Sequence, residues 1–166
     1  MKNKEEIKTL IDKVEKMKKS GGVDLSTEED LSLAIMNLVS LEEHFFFTGA
    51  KTGKTEYFDM LEEIRNTRKE LLAKMIDKNE GETWCISKHL LATAMRLMEV
   101  GTKLHADGKK EEANEMFDKS YKMYSTFWAL RLKLIDASGF KKIADNEKPW
   151  SFEDIVNKMV DCCDEK

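Results

Sequence analysis

Residues 31–47 read LSLAIMNLVSLEEHFFF, an apolar run with helical periodicity. Ser26 and Glu29 have the spacing of a capping box, and Leu25 is placed to act as a hydrophobic staple, so a helix is predicted to start there. The face that this helix buries is defined by side chains three or four positions apart: Leu31, Ile35, Leu38, Val39, Phe45 and Phe46.

The same spacing recurs along the rest of the chain. It predicts further helices at residues 3–19, 56–76, 83–106, 110–136 and 150–161. Helices of about 20 residues joined by short turns favour antiparallel neighbours. We therefore predict an all-α protein with one domain, residues 1–166. An antiparallel up-down-up-down four-helix bundle spans residues 26–136, with a peripheral N-terminal helix in residues 1–20 and a short C-terminal helix, 150–161, docked on it.

Composition supports this class and excludes others. The 166 residues are 36% charged and 41% hydrophobic, with one proline, which suits helices with exposed charged faces. The net charge is -4, and basic residues alternate with acidic ones along the helices, so nucleic-acid binding is not expected.

Location is predicted from three features. No stretch approaches the run of about 20 apolar residues that spans a bilayer, and the first residues are charged instead of forming a signal peptide. The three cysteines are odd in number and two are adjacent, which argues against a disulfide framework: Cys85, Cys162 and Cys163. We expect a cytoplasmic protein that does not bind membranes.

Residues 94–127 resemble a single tetratricopeptide hairpin. The residues that carry the resemblance are Leu97, Val100, Gly101, Leu104, Ala113 and Phe117. Leucines replace the usual aromatics at 97 and 104, serines stand at 120 and 125 where that pattern usually has alanine and proline, and no second copy is present. The resemblance implies a close helix–helix approach at Gly101 and does not imply a solenoid.

Three charged residues fall at the centres of predicted apolar faces: Glu42, Arg68 and Arg131. An unpaired buried charge costs several kcal/mol, so each must pair, bind a ligand or reach solvent. If the helices that carry Glu42 and Arg68 are antiparallel, the two side chains lean toward each other, with Arg65 at the edge. We predict an ion pair of Glu42 with Arg65 or Arg68, completed by Tyr121 or Tyr124.

Two interpretations of this cluster remain open. It is either a closed structural ion pair that fixes helix register or a positive site, through Arg65 and Arg68, that holds a carboxylate or phosphate. Arg131 lies near the opposite end of the bundle, where an acid such as Glu28, or solvent, is its predicted partner.

A metal site is the third possibility. The Glu-x-x-His pairs of di-iron bundles are missing, because the residues three positions before the three histidines are Leu41, Ile86 and Thr102. A different set, His44, Cys85 and His89, with a carboxylate such as Glu43, has chemistry suited to zinc or haem. His105 is placed on the core face of its helix.

These patterns favour a non-catalytic binding or interaction protein with no cofactor. The partner is expected to be a protein or a second copy, contacted through the apolar stripe of residues 3–19. The alternatives are a metal- or haem-binding bundle and a binder of small anions.

Overall fold

Four long helices make up most of the computed structural model, which describes residues 12, 15–17, 19–20, 24–78 and 81–135. They are α1 (Leu25–Thr52), α2 (Glu56–Met75), α3 (Glu82–Ala106) and α4 (Lys110–Arg131). The described part contains no strand, which confirms the all-α class. Met17, from the N-terminal stretch, packs against the core. The predicted helix at 150–161 lies outside the described residues, and the division into a peripheral and a core part stays a prediction.

The start of α1 differs from the prediction. Asp24, not Ser26, is the N-cap: its carboxylate accepts hydrogen bonds from the Thr27 backbone N–H (3.3 Å) and hydroxyl (2.7 Å). These hydrogen bonds lower the pKa of Asp24. One carboxylate that receives two donors is a strong cap, so the helix begins before the predicted capping box.

Helix α1 also extends past Phe47, where the apolar run of the sequence ends. The helix continues to Thr52 and ends at Gly53, whose φ of 69° is in the left-handed region that glycine adopts without strain. The connection to α2 is therefore only the three residues between Thr52 and Glu56.

Two antiparallel hairpins pack together through α1. In the first, α1 and α2 align Glu42 with Arg68, and in the second, α3 and α4 align Gly101 with Phe117. Helix α1 also packs against α3, whereas α2 and α3 make few direct contacts. This leaves a gap between α2 and α3 with α1 as its floor, which we call the α2–α3 groove.

The core lies at one end of the bundle, which we call the base. There α1 and α3 begin and α2 and α4 end, and the buried apolar side chains include Ile35, Leu72, Leu91, Phe127 and Trp128. At the opposite end, the tip, large apolar side chains remain exposed: Phe46, Phe47, Phe58, Met60, Met98 and Val100.

Helices α3 and α4 approach each other closely at Gly101. A Cβ placed on this residue would lie 2.6 Å from Cε1 of Phe117. This is the contact that the tetratricopeptide resemblance implies, although the resemblance itself remains a prediction.

The prediction for His105 is wrong. This residue is exposed in the last turn of α3 and does not lie on its core face.

We predict that Gly101→Ala lowers the free energy of unfolding by about 1 kcal/mol. Alanine favours the helix by about 1 kcal/mol, but the overlap with the Phe117 ring costs about 1–3 kcal/mol. Urea denaturation measures the difference, with Thr102→Ala at the next, exposed position as the control. A more stable Gly101→Ala protein would show that the ring moves aside without cost.

Candidate functional site

The polar centre of the first hairpin is Glu42, which is only 8% exposed. Arg68, 4% exposed, donates from Nε to Glu42 Oε1 (2.8 Å) and from Nη2 to Oε2 (3.3 Å). Arg65 Nε donates to the same Oε2 (3.0 Å). The predicted pairing is therefore present, and both arginines take part in it.

The three charges do not share one environment. Arg68 is enclosed, whereas 51% of the Arg65 side chain is exposed. Burial raises the pKa of Glu42, but the hydrogen bonds and charges of Arg68 and Arg65 outweigh this and hold its pKa below the ordinary value. Glu42 is thus a fixed anion, and Arg65 presents the part of its guanidinium that Glu42 does not engage toward solvent.

This lowered pKa predicts a pH dependence. The unfolded chain has the ordinary carboxyl pKa, so the ion pair contributes its full stability above that value and loses it as pH falls through the lower, folded pKa. We expect the urea midpoint of the wild type to fall more steeply below about pH 5 than that of Glu42→Gln. Parallel curves from pH 7 to pH 3 would contradict a lowered pKa.

The predicted tyrosine partner is wrong for Tyr124. Its hydroxyl lies 2.7 Å from Ser32 Oγ, within hydrogen-bond distance. Ser32 precedes Glu42 by ten residues, about 15 Å along α1. Tyr121 packs against the core. Arg65 supplies a further donor to Glu42, and a contact of Tyr121 with this cluster stays a prediction.

Arg131 has the partner that its position predicts. Its Nη2 donates to Glu28 Oε1 (2.5 Å), and the two side chains are 18% and 16% exposed. Arg131 Nε and Glu28 Oε2 have no hydrogen-bond partner among the described residues. This pair joins the end of α4 to the start of α1 at the base, separate from the Glu42 cluster.

The structure does not assemble the predicted metal ligands. Within the ranges 24–78 and 81–135, no group of three His, Cys, Asp or Glu side chains is placed to hold a metal ion. His44 is exposed and lies beside the Phe45 ring. Cys85 and His89 are also exposed, as their position on the helical wheel indicates.

A basic cavity occupies the part of the α2–α3 groove nearer the base. Its volume is about 420 Å³, and five cationic side chains and one tryptophan line it: Arg65, Arg68, Lys69, Lys78, Trp84 and Lys88. No carboxylate belongs to this lining. Among the described residues, neither Lys78 nor Lys88 forms an ion pair.

A second cavity of about 380 Å³ continues the groove toward the tip, and the two cavities share Arg65, Arg68 and Lys88. Apolar side chains from all three helices contribute to it: Val39, Phe46, Phe47, Leu61 and Ala92. Phe46 and Phe47 are half-exposed there and contact edge to face, with ring centroids 5.2 Å apart. Glu42, Glu43 and His89 also line this second cavity. The groove therefore has a cationic end and an end that combines apolar with charged side chains.

Sequence reasoning found Arg65 and Arg68 but missed the residues that complete the basic cavity. Lys69, Lys78 and Lys88 lie on polar helix faces among many other lysines, so the sequence gives no local signal for them. They converge because α2 and α3 both pack on α1 while staying apart from each other. That separation is a property of helix packing and not of any one helix.

Comparisons of the chain with known proteins found no relative. No protein-family model, no curated protein and no solved structure matches the chain. In the part of the chain that the structure describes, every helix is too short or too polar to cross a membrane.

Proposed function

We propose that this protein is a non-catalytic binding module and that its ligand contacts the α2–α3 groove. The ligand carries carboxylate or phosphate groups, which the basic cavity receives, beside an apolar surface that contacts Phe46 and Phe47. The observation that carries this proposal is the charge of the lining: five cations and no carboxylate surround one cavity in a chain of net charge -4.

The roles of the two arginines differ in this proposal. Arg68 is held by Glu42 on two of its nitrogens, so it shapes the cavity wall and keeps the Glu42 charge neutralised. Arg65, Lys78 and Lys88 supply the charge that a ligand meets. A planar guanidinium and two ammonium groups suit an anion that has several oxygens.

The net charge of the chain and the lining of the groove indicate the class of partner. The overall net charge of -4 would repel an extended polyanion, so the proposal excludes nucleic acid in favour of a protein partner with an acidic, apolar segment. We propose a non-catalytic role because Glu42, the buried carboxylate of the groove, is already engaged. Both of its oxygens accept hydrogen bonds from arginines. The cytoplasm is the compartment that we propose, since the free, exposed Cys85 suits a reducing environment.

A thermal-shift titration tests the anion site. Inorganic phosphate and citrate should raise the unfolding temperature of the full chain more than sodium chloride at the same ionic strength does. The double variant Lys78→Gln/Lys88→Gln should lose this rise. Lys74→Gln/Lys103→Gln removes the same charge from residues outside both cavities and should keep it. An equal response in both variants, or none in the wild type, would overturn the proposal.

A further inference from the structure

We infer that the groove selects a phosphate monoester, carried by a phosphorylated side chain of the partner, and that Arg65 is the residue that sets this selectivity. The inference rests on the proposed function, because it names the chemical group that the basic cavity receives. Phosphorylation of the partner would then control its binding.

The two arginines of the cluster offer different groups to a ligand. Arg68 gives both Nε and Nη2 to Glu42, so its buried guanidinium keeps only Nη1 away from that carboxylate. Arg65 gives Glu42 its Nε alone, and among the described residues its two terminal nitrogens form no hydrogen bond. These nitrogens make a fork that can bind two oxygens of one oxyanion in parallel. The contact with Glu42 therefore holds Arg65 and leaves its fork for a ligand.

Lysine side chains surround this fork. Lys88 of α3 lines both cavities, as Arg65 of α2 does, so the two residues flank the same part of the groove from opposite helices. Lys69 and Lys78 also line the basic cavity. Neither Lys78 nor Lys88 has an ion-pair partner within the ranges 24–78 and 81–135. Glu42 thus offsets only one of the five positive charges of this cavity.

The numbers of charges and oxygens favour a phosphate over a carboxylate. A carboxylate has one negative charge and two oxygens, so the Arg65 fork engages all of it and leaves the lysines without a partner. A phosphate monoester carries a charge of about -1.5 to -2 at pH 7 and has three terminal oxygens. Two oxygens can contact Arg65 while the third contacts Lys88. A bound phosphate would therefore join α2 to α3, which make few direct contacts of their own.

Calorimetric titration of the full chain at pH 8 tests the selectivity with small anions. Phenyl phosphate and benzoate present the same ring with a phosphate or a carboxylate, and phthalate carries two negative charges on two carboxylates. We expect phenyl phosphate to bind about tenfold more tightly than benzoate, which corresponds to one added charge-assisted hydrogen bond. It should also bind more tightly than phthalate, because only the phosphate places its charge within reach of both Arg65 and Lys88.

Two matched substitutions test the role of Arg65. Arg65→Lys keeps the positive charge but removes the fork, so most of the preference for phenyl phosphate should be lost. Arg96→Lys is the control, because Arg96 is also half-exposed and its Nε also pairs with a carboxylate of α1, that of Glu43. Arg96 lines neither cavity, so this variant should keep the preference of the wild type.

A phosphopeptide identifies the source of the phosphate. Acetyl-phosphoserine-phenylalanine amide should bind more tightly than glycerol 3-phosphate, which presents the same alkyl phosphate without a peptide. The reason is that the backbone and ring of the peptide can extend along the groove to Phe46 and Phe47. Glycerol 3-phosphate that binds as tightly as the peptide would overturn the assignment to a side chain of a protein.

Equal affinities for phenyl phosphate and phthalate, or a preference that Arg65→Lys retains, would overturn the inference and leave an anion site of broader selectivity in the groove. Failure of every anion to bind would overturn the proposed function together with the inference.

Discussion

Replacing Glu42 with alanine is expected to lower the free energy of unfolding by about 3–5 kcal/mol. The loss arises from Arg68, which is 4% exposed and would keep a buried guanidinium without its carboxylate. Arg65 contributes little to this loss because half of its side chain already contacts solvent. Urea denaturation at pH 7 measures the change, which is a large fraction of the stability of an ordinary domain.

A double-mutant cycle separates the pair from its parts. Arg68→Met alone is expected to destabilise the protein by leaving Glu42 with only the half-exposed Arg65. Glu42→Leu/Arg68→Met should recover most of the loss, because an apolar pair of similar size replaces a buried ion pair at little cost. The neighbouring Glu43 pairs with the half-exposed Arg96, so Glu43→Ala should cost less than about 1 kcal/mol. Additive losses in the cycle would contradict a coupled pair.

Replacing Phe127 with alanine is expected to cost about 3–5 kcal/mol as well, for a different reason. The side chain is fully buried, stacked on Tyr124 and edge to face with Trp128. Its removal leaves a cavity that the packed base cannot fill. If this variant does not fold, Phe127→Leu gives a measurable loss of about 1–2 kcal/mol.

Phe47 is the matched control for this prediction. It is the same residue type but is 55% exposed in the end of the groove nearer the tip. Phe47→Ala should change stability by only about 0.5 kcal/mol. A loss as large as that of Phe127→Ala would mean that Phe47 belongs to the core, and it would remove the argument that this side chain is available to a ligand.

The parts of the structure that were predictable are those encoded in one helix or in two neighbouring helices. Periodicity placed the four helices within a few residues, and antiparallel geometry brought Glu42 to Arg68 and Arg65. Both inferences need only a helical wheel and a short connection. The pairing of Arg131 with Glu28 followed in the same way from their position along the bundle.

The parts that sequence reasoning missed depend on how helices are arranged in three dimensions. A bundle in which each helix packs equally against its two neighbours would place Tyr124 near Glu42. Instead, α4 meets α1 near the base, where Tyr124 contacts Ser32. The same unequal packing opens the groove and brings Lys78 and Lys88 together with Trp84. The N-cap at Asp24 was missed for a local reason, since a capping-box pattern two residues later is equally plausible by spacing.

The concentration of the core at one end implies a gradient of amide hydrogen exchange along each helix. Amides beside Ile35, Leu72 and Leu91 are expected to exchange only when the whole domain unfolds. Those near Phe46 and Phe47, where side chains are half-exposed, should exchange through local opening at lower free energy. A ligand in the groove would therefore slow exchange most where the free protein is least protected.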